Sequence, residues 1–212
     1  GLSAWIRVID YRLQQLDRLD NVEVYRESPM STDDILEFGF DHVVIATGAS
    51  WRGDGVGRWH THPIEIDSST AVFTPDDIMA GARPAGKRVV LFDDDHYYLG
   101  AVVAEMLAKE GFAVTLVTPV PQVSQWTTNT MEAHRIRARI MDAGVDVCTD
   151  TAVTAVDASG VQTACRFTGR TGHLDADAVV MVTARLPHDE LYTQLQERGD
   201  DWAAAGVSSV TG

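Results

Sequence analysis

Lys87-Arg88-Val89-Val90-Leu91-Phe92-Asp93-Asp94-Asp95-His96-Tyr97-Tyr98-Leu99-Gly100 is the stretch that decides the fold. Its apolar run, Val89-Val90-Leu91-Phe92, does not alternate with polar residues, the pattern of a strand covered on both faces. Helical spacing takes over at Leu99 and holds to Lys109, Gly111 stops it, and residues 113–117 form a second apolar strand. Strand, helix and strand within about thirty residues make a βαβ unit, whose crossover is right-handed. The class is α/β.

Downstream, residues 130–143 read as a helix ended by Gly144, and residues 145–148 as a strand. Residues 151–156, 161–167 and 178–182 read as further strands, the first two able to form an antiparallel excursion, and residues 188–198 as a last helix. Upstream, Leu2, Ile6, Ile9, Leu13, Leu16 and Leu19 recur at helical spacing, and Val22-Glu23-Val24-Tyr25 alternates as a short strand. Ser31-Thr32-Asp33-Asp34 has the capping side chains and acids of a helix start, and residues 41–46 read as a buried strand ending in Thr47-Gly48. Residues 49–74 show no period and read as loop with short extended pieces. The Pro/Gly-rich segment 82–86 marks the best domain boundary, giving units 1–75 and 76–185 and a return segment 186–212. The chain enters a helix at once and ends on a strand-like run, which suggests a piece of a larger chain.

The 212 residues are 45% hydrophobic and 23% charged, and 17 basic against 31 acidic side chains leave a net charge of −14. That field repels phosphate backbones and anionic lipid, so nucleic-acid and membrane partners are disfavoured. No apolar run approaches the ~20 residues of a membrane helix, and the charged start is no secretory signal. Cys148 and Cys165 are too few for a disulfide framework or a four-cysteine iron–sulfur site. A cytoplasmic location is expected.

A dinucleotide fingerprint needs Gly-x-Gly-x-x-Gly at a strand-to-helix turn, because bare backbone must approach a pyrophosphate on the helix N-terminus. Here Asp93, Asp94 and Asp95 stand in its place. At ~5 Å and an effective dielectric of ~20, each like-charge pair with a phosphate costs about 3 kcal/mol. A helix N-terminus returns an anion only a few tenths to ~1 kcal/mol. Nor does the strand 113–117 end in an acid for a ribose hydroxyl; Thr118-Pro119 follows it. The acids with His96 could instead form a metal site or a repurposed polar site, but capping the helix is the simpler reading. Thr47-Gly48 is a second candidate, since a glycine at a strand end lets backbone lie against a nucleotide; an ordinary tight turn fits nearly as well. His60-x-His62 lacks a third ligand at supporting spacing and reads as a solvated loop. Trp126, within the polar run 122–129, could meet a partner or pack inside a larger protein, and Cys148 reads as a buried strand residue. No nucleophile triad, phosphate-binding P-loop or metalloprotease pattern is present. Neither catalytic residues nor metal ligands are assigned.

Three segments together carry a resemblance: Asn-Val-Glu-Val-Tyr-Arg-Glu-Ser-Pro-Met at 21–30, Phe-Gly-Phe-Asp-His-Val-Val-Ile-Ala-Thr-Gly-Ala at 38–49, and the aspartate-rich stretch 87–100 with Gln-Val-Ser-Gln-Trp-Thr at 122–127. With the order of elements, they resemble the C-terminal part of the trimethylamine, dimethylamine and histamine dehydrogenases, of the NADH:flavin oxidoreductase family that includes 2,4-dienoyl-CoA reductase. The resemblance implies a parent with an FMN-bearing barrel, a 4Fe-4S cluster and two Rossmann-like domains of glutathione-reductase type. Residues 1–75 would be the second half of an ADP- or FAD-binding domain, and 76–185 an NAD(P)-binding-like domain with a degenerate glycine loop. Thr47 and Gly48 match the family's Ala-Thr-Gly element near the ADP or FAD site. The implied function is oxidation of a small amine, with the fragment itself inactive. The alternatives are an NAD(P)H-dependent reductase domain of dienoyl-CoA type and a docking module for an electron-transfer flavoprotein. The implied partners are the barrel, that flavoprotein and a second parent subunit in a homodimer.

Overall fold

The computed structural model describes residue 4 and residues 6–212. Leu2, counted above toward the first helix, lies outside the described residues. The chain forms two compact units: residues up to Ala49 with Pro187–Gly212, and Ser50–Leu186. The first boundary therefore falls at 49/50 rather than at 75/76 or in 82–86. The reason lies in residues 50–75, whose short strands Glu65–Ile66 and Ala71–Phe73 join the sheets of the second unit.

The second unit is built on a five-stranded parallel sheet. Its order is Ala71–Phe73, Ala178–Val182, Arg88–Asp93, Ala113–Val117, Asp146–Cys148, with Arg88–Asp93 at the centre. Ala178 aligns with Val89 on one side of that strand and Val114 with Val89 on the other. Period two divides the side chains between two cores. Val89 and Leu91 point to one face with Val114, Leu116, Val180 and Val182, where Ala104 and Leu107 of helix Leu99–Lys109 and Ile140 of helix Ala133–Asp142 cover them. Val90 and Phe92 point to the other with Val179 and Met181, under Val153, Val156 and Val161 of a smaller sheet. That sheet, ordered Thr171–Asp175, Gly160–Cys165, Thr151–Asp157, Glu65–Ile66, contains the expected antiparallel excursion. Because both faces of the central strand are covered, its sequence is continuously apolar.

The expected strand 161–167 stops at Cys165, and Thr171–Asp175 is an additional strand. The helix expected over 130–143 begins at Ala133. Pro75–Met79 is a helix in a stretch with little period: Thr74 caps it reciprocally with Asp77, and Pro75 holds its first position.

In the first unit, strand His42–Val44 pairs in parallel with Ser209–Thr211. Helices Thr32–Phe38, Glu190–Glu197 and Gly199–Ala205 surround a small core of Ile35, Leu36, Val43, Leu195 and Val207. The expected helix start at Ser31 is a capping box of Ser31 with Asp34, and Gly39 ends that helix at φ 66°. The helix expected at 188–198 spans Glu190–Glu197, and a further helix, Gly199–Ala205, follows it. Helix Ile6–Leu16 forms as its spacing predicts, yet no residue in it is buried. Residues 22–25, expected as a strand, join no ladder among the described residues, and Val24 and Tyr25 stand exposed. Alternation alone does not make a strand without a partner to pair with.

Candidate functional site

The parallel strands of the second unit deliver their C-terminal ends to one edge, where α/β sheets place ligands. Strand Arg88–Asp93 delivers Asp93, and the turn to helix Leu99–Lys109 carries Asp94, Asp95 and His96. The acids do not cap the helix: its N-cap position is Tyr98, with no side-chain cap hydrogen bond. Asp93 and Asp94 are fully buried and His96 is 5% exposed. Asp93 accepts a hydrogen bond at 3.1 Å from the His96 backbone N–H, which His96 supplies by adopting φ 63°. On the helix side, a Cβ on Gly100 would lie 2.5 Å from the Asp93 carboxyl carbon, so the carboxylate rests directly on the first turn. A glycine is required there, but to admit the protein's own anion.

Asp94 is held from the other side. Its backbone N–H donates to Val182 at 2.9 Å, and its carboxylate accepts from the Trp59 N–H at 2.7 Å. Gly57 faces the same carboxylate so closely that a side chain there would overlap it. His96 Nε2 approaches Asp94 Oδ1 at 3.3 Å without the alignment of a hydrogen bond. Asp93 Oδ2, Asp94 Oδ1 and His96 Nε2 are buried with no hydrogen-bond partner among the described residues. Burial pushes the Asp93 carboxyl up to about 6, against the lowering effect of the His96 N–H bond. Asp95 is nearer the surface and pairs with Arg185 at 3.3 Å. Among the described residues no group of three His, Cys, Asp or Glu side chains could hold a metal ion.

The loop 49–74 supplies Gly57 and Trp59 to this cluster, an arrangement the sequence did not reveal across a separation of 35 positions. The signal available was Gly55-Val56-Gly57, two glycines in a stretch without period, the mark of close backbone approach. The run 122–129 also reaches the turn, through the Trp126 N–H to the His96 carbonyl at 3.1 Å. Trp126 is 44% exposed and lies beneath the Arg58 guanidinium.

Thr47 and Gly48 lie in the first unit, after strand His42–Val44. The Thr47 hydroxyl donates to the His188 carbonyl, and the His188 N–H donates to the Gly48 carbonyl at 2.9 Å. Gly48 has φ 81°, and a Cβ built there meets nothing within 4 Å. The two residues line a cleft of about 340 Å³ with Ile45, His188 and Tyr192. His60 Nε2 lies 2.7 Å from the Val153 carbonyl, and His62 contacts Thr61. Cys148 is half-buried rather than buried, because its strand is the sheet's edge.

No described helix is long and apolar enough to cross a membrane. Residues 73–173 match the family described as the OYE-like second alpha/beta domain. Over 99% of its length the chain is 32% identical to dimethylamine dehydrogenase from Hyphomicrobium sp. (strain x), covering 32% of that protein. Histamine dehydrogenase from Rhizobium sp. 4-9 has a solved structure with TM-score 0.95 and 50% identity, covering all of this chain and 33% of that one. The structure of 6-hydroxypseudooxynicotine amine oxidase from Pseudomonas geniculata N1 gives TM-score 0.89 and 44% identity over 95% of this chain and 30% of that one. The chain thus spans about a third of the length of these relatives.

Proposed function

The chain is homologous to a stretch of dimethylamine dehydrogenase and of histamine dehydrogenase, and from this we propose that it is the C-terminal part of an FMN- and iron–sulfur-dependent oxidoreductase that oxidises a small amine. The first unit is part of an ADP- or FAD-binding-type domain. The second is a Rossmann-like domain of glutathione-reductase type, a reading supported by its central βαβ unit and parallel sheet.

One observation carries the choice between amine-driven and nicotinamide-driven chemistry: the Asp93 carboxylate lying on the first turn of helix Leu99–Lys109 at Gly100. The position a pyrophosphate needs is filled from within. A phosphate entering there would meet Asp93 and Asp94 in a site from which water is excluded, where like charges repel more strongly than at a surface. The second unit accordingly serves as fold, and hydride from a nicotinamide does not enter through it.

An iron–sulfur cluster does not fit the residues of this chain. Cys148 and Cys165 are its two cysteines, on strands of different sheets. The cluster and the FMN belong to the rest of the longer protein. Thr47 and Gly48 would form one wall of an adenine-nucleotide site, since the open space at Gly48 lets a ligand approach the backbone. FAD there would bring a redox-active ring, and ADP would bring none. In either case Gly48 allows close approach, and the Thr47 hydroxyl fastens the wall to His188.

The test is an assay of the longer protein that carries this chain, with dimethylamine, trimethylamine and histamine as donors and a dye as acceptor. Dye reduction driven by one of these amines, without NADH or NADPH oxidation, is expected. Reduction driven by NADH or NADPH and by none of the amines would overturn the reading.

A further inference from the structure

Beside the acidic turn, at the same edge of the sheet, lies a cleft of about 290 Å³ lined by Gly57, Arg58, Asp95, Thr183, Ala184 and Arg185. Each arginine lies over an indole ring. The Arg58 guanidinium carbon sits 4.2 Å from the Trp126 ring centre, and that of Arg185 sits 4.3 Å from the Trp51 ring centre. Stacking covers a guanidinium face and leaves its in-plane N–H donors directed sideways. Arg185 uses one amino group on Asp95, at 3.3 Å. Arg58 makes neither a hydrogen bond nor an ion pair among the described residues, so its contact there is the ring beneath it. Two guanidinium groups and the Asp95 carboxylate line this cleft, and the Asp94 carboxylate lies behind Gly57 at its edge.

We propose that this cleft is a binding site for a small oxyanion, a carboxylate or a phosphate group, gripped by the in-plane donors of Arg58 and Arg185. Planar guanidinium forks match the spacing of two oxygens on one carbon or phosphorus, and two forks fixed in advance lose little freedom on binding. A cleft of this volume admits a small anion. The site is independent of the amine dehydrogenase reading.

The experiment follows the indole N–H resonances of Trp51 and Trp126 by NMR in the 212-residue chain, titrated with inorganic phosphate and with succinate at matched ionic strength. Saturable shifts with a dissociation constant on the order of 1 mM are expected for at least one anion. Which anion saturates identifies the source of the oxygens. R58Q, at an exposed position, should weaken that binding about tenfold, and R58K, which keeps the charge without the fork, should fall between. Shifts no larger than sodium chloride produces would overturn the proposal. So would saturable binding that R58Q leaves unchanged.

Discussion

Asp93 and Gly100 are fitted to each other: the carboxylate of one fills the space a side chain on the other would need, with 2.5 Å between the Asp93 carboxyl carbon and a Cβ built on Gly100. Seven residues apart, they join the end of the central strand to the first turn of the helix. The geometry that elsewhere admits a phosphate here admits a side chain of the same molecule.

G100A tests that fit. The added methyl cannot be accommodated without moving a fully buried carboxylate, so destabilisation of about 1–3 kcal/mol is expected in urea unfolding. In a D93G background the same substitution should cost far less. Equal costs in the two backgrounds would separate the residues.

The burial of Asp93 gives stability a definite pH dependence. Its carboxyl is raised from the usual value near 4 to about 6, so the native state keeps a proton that the unfolded chain releases. The contribution favouring folding is full below about pH 4 and is lost as pH rises through 6. The loss is on the order of 3 kcal/mol. D93N resembles the protonated form and should flatten this part of the profile between pH 4 and 7. Parallel urea midpoints for D93N and the parent chain across that window would show that Asp93 ionises in the fold without penalty.

Leu91 and Val44 should respond oppositely to truncation. Leu91 is fully buried on the central strand, and L91A is expected to cost 2–5 kcal/mol. Val44 is 76% exposed, and V44A should stay within about 0.5 kcal/mol. Unfolding curves of the two variants decide it, and comparable losses would place Val44 in a core.

Hydrogen exchange should separate the two units. Amides in residues 89–92 and 114–117 lie in a five-stranded sheet covered on both faces, and strong protection is expected. Amides 43–45 belong to a two-stranded pairing over a small core and should exchange faster. Equal protection in a dilute sample would mean that the units unfold together.

The central βαβ unit was legible because Val89–Phe92 sends alternate side chains into two cores, a demand that writes itself as an unbroken apolar run. The helix start at Ser31 was legible for a similar reason, since it is local in sequence. The contacts around the acids were not. Asp94 is held by the Trp59 N–H and crowded by Gly57, and a backbone donor leaves no trace in residue identity. That placement buries Asp93 and Asp94, whereas local chemistry suggested helix caps. The boundary at 49/50 was hidden because residues 65–66 and 71–73 are strands too short to show a period. Helix 6–16 was legible from its spacing, but spacing does not say whether the apolar stripe is covered.

The most direct measurement of the central claim, that the second unit keeps a nucleotide-binding architecture whose anion position is filled by Asp93, is calorimetric titration of the chain with NADH and NADPH. No saturable binding tighter than millimolar is expected for either cofactor. Micromolar binding of either one would contradict it.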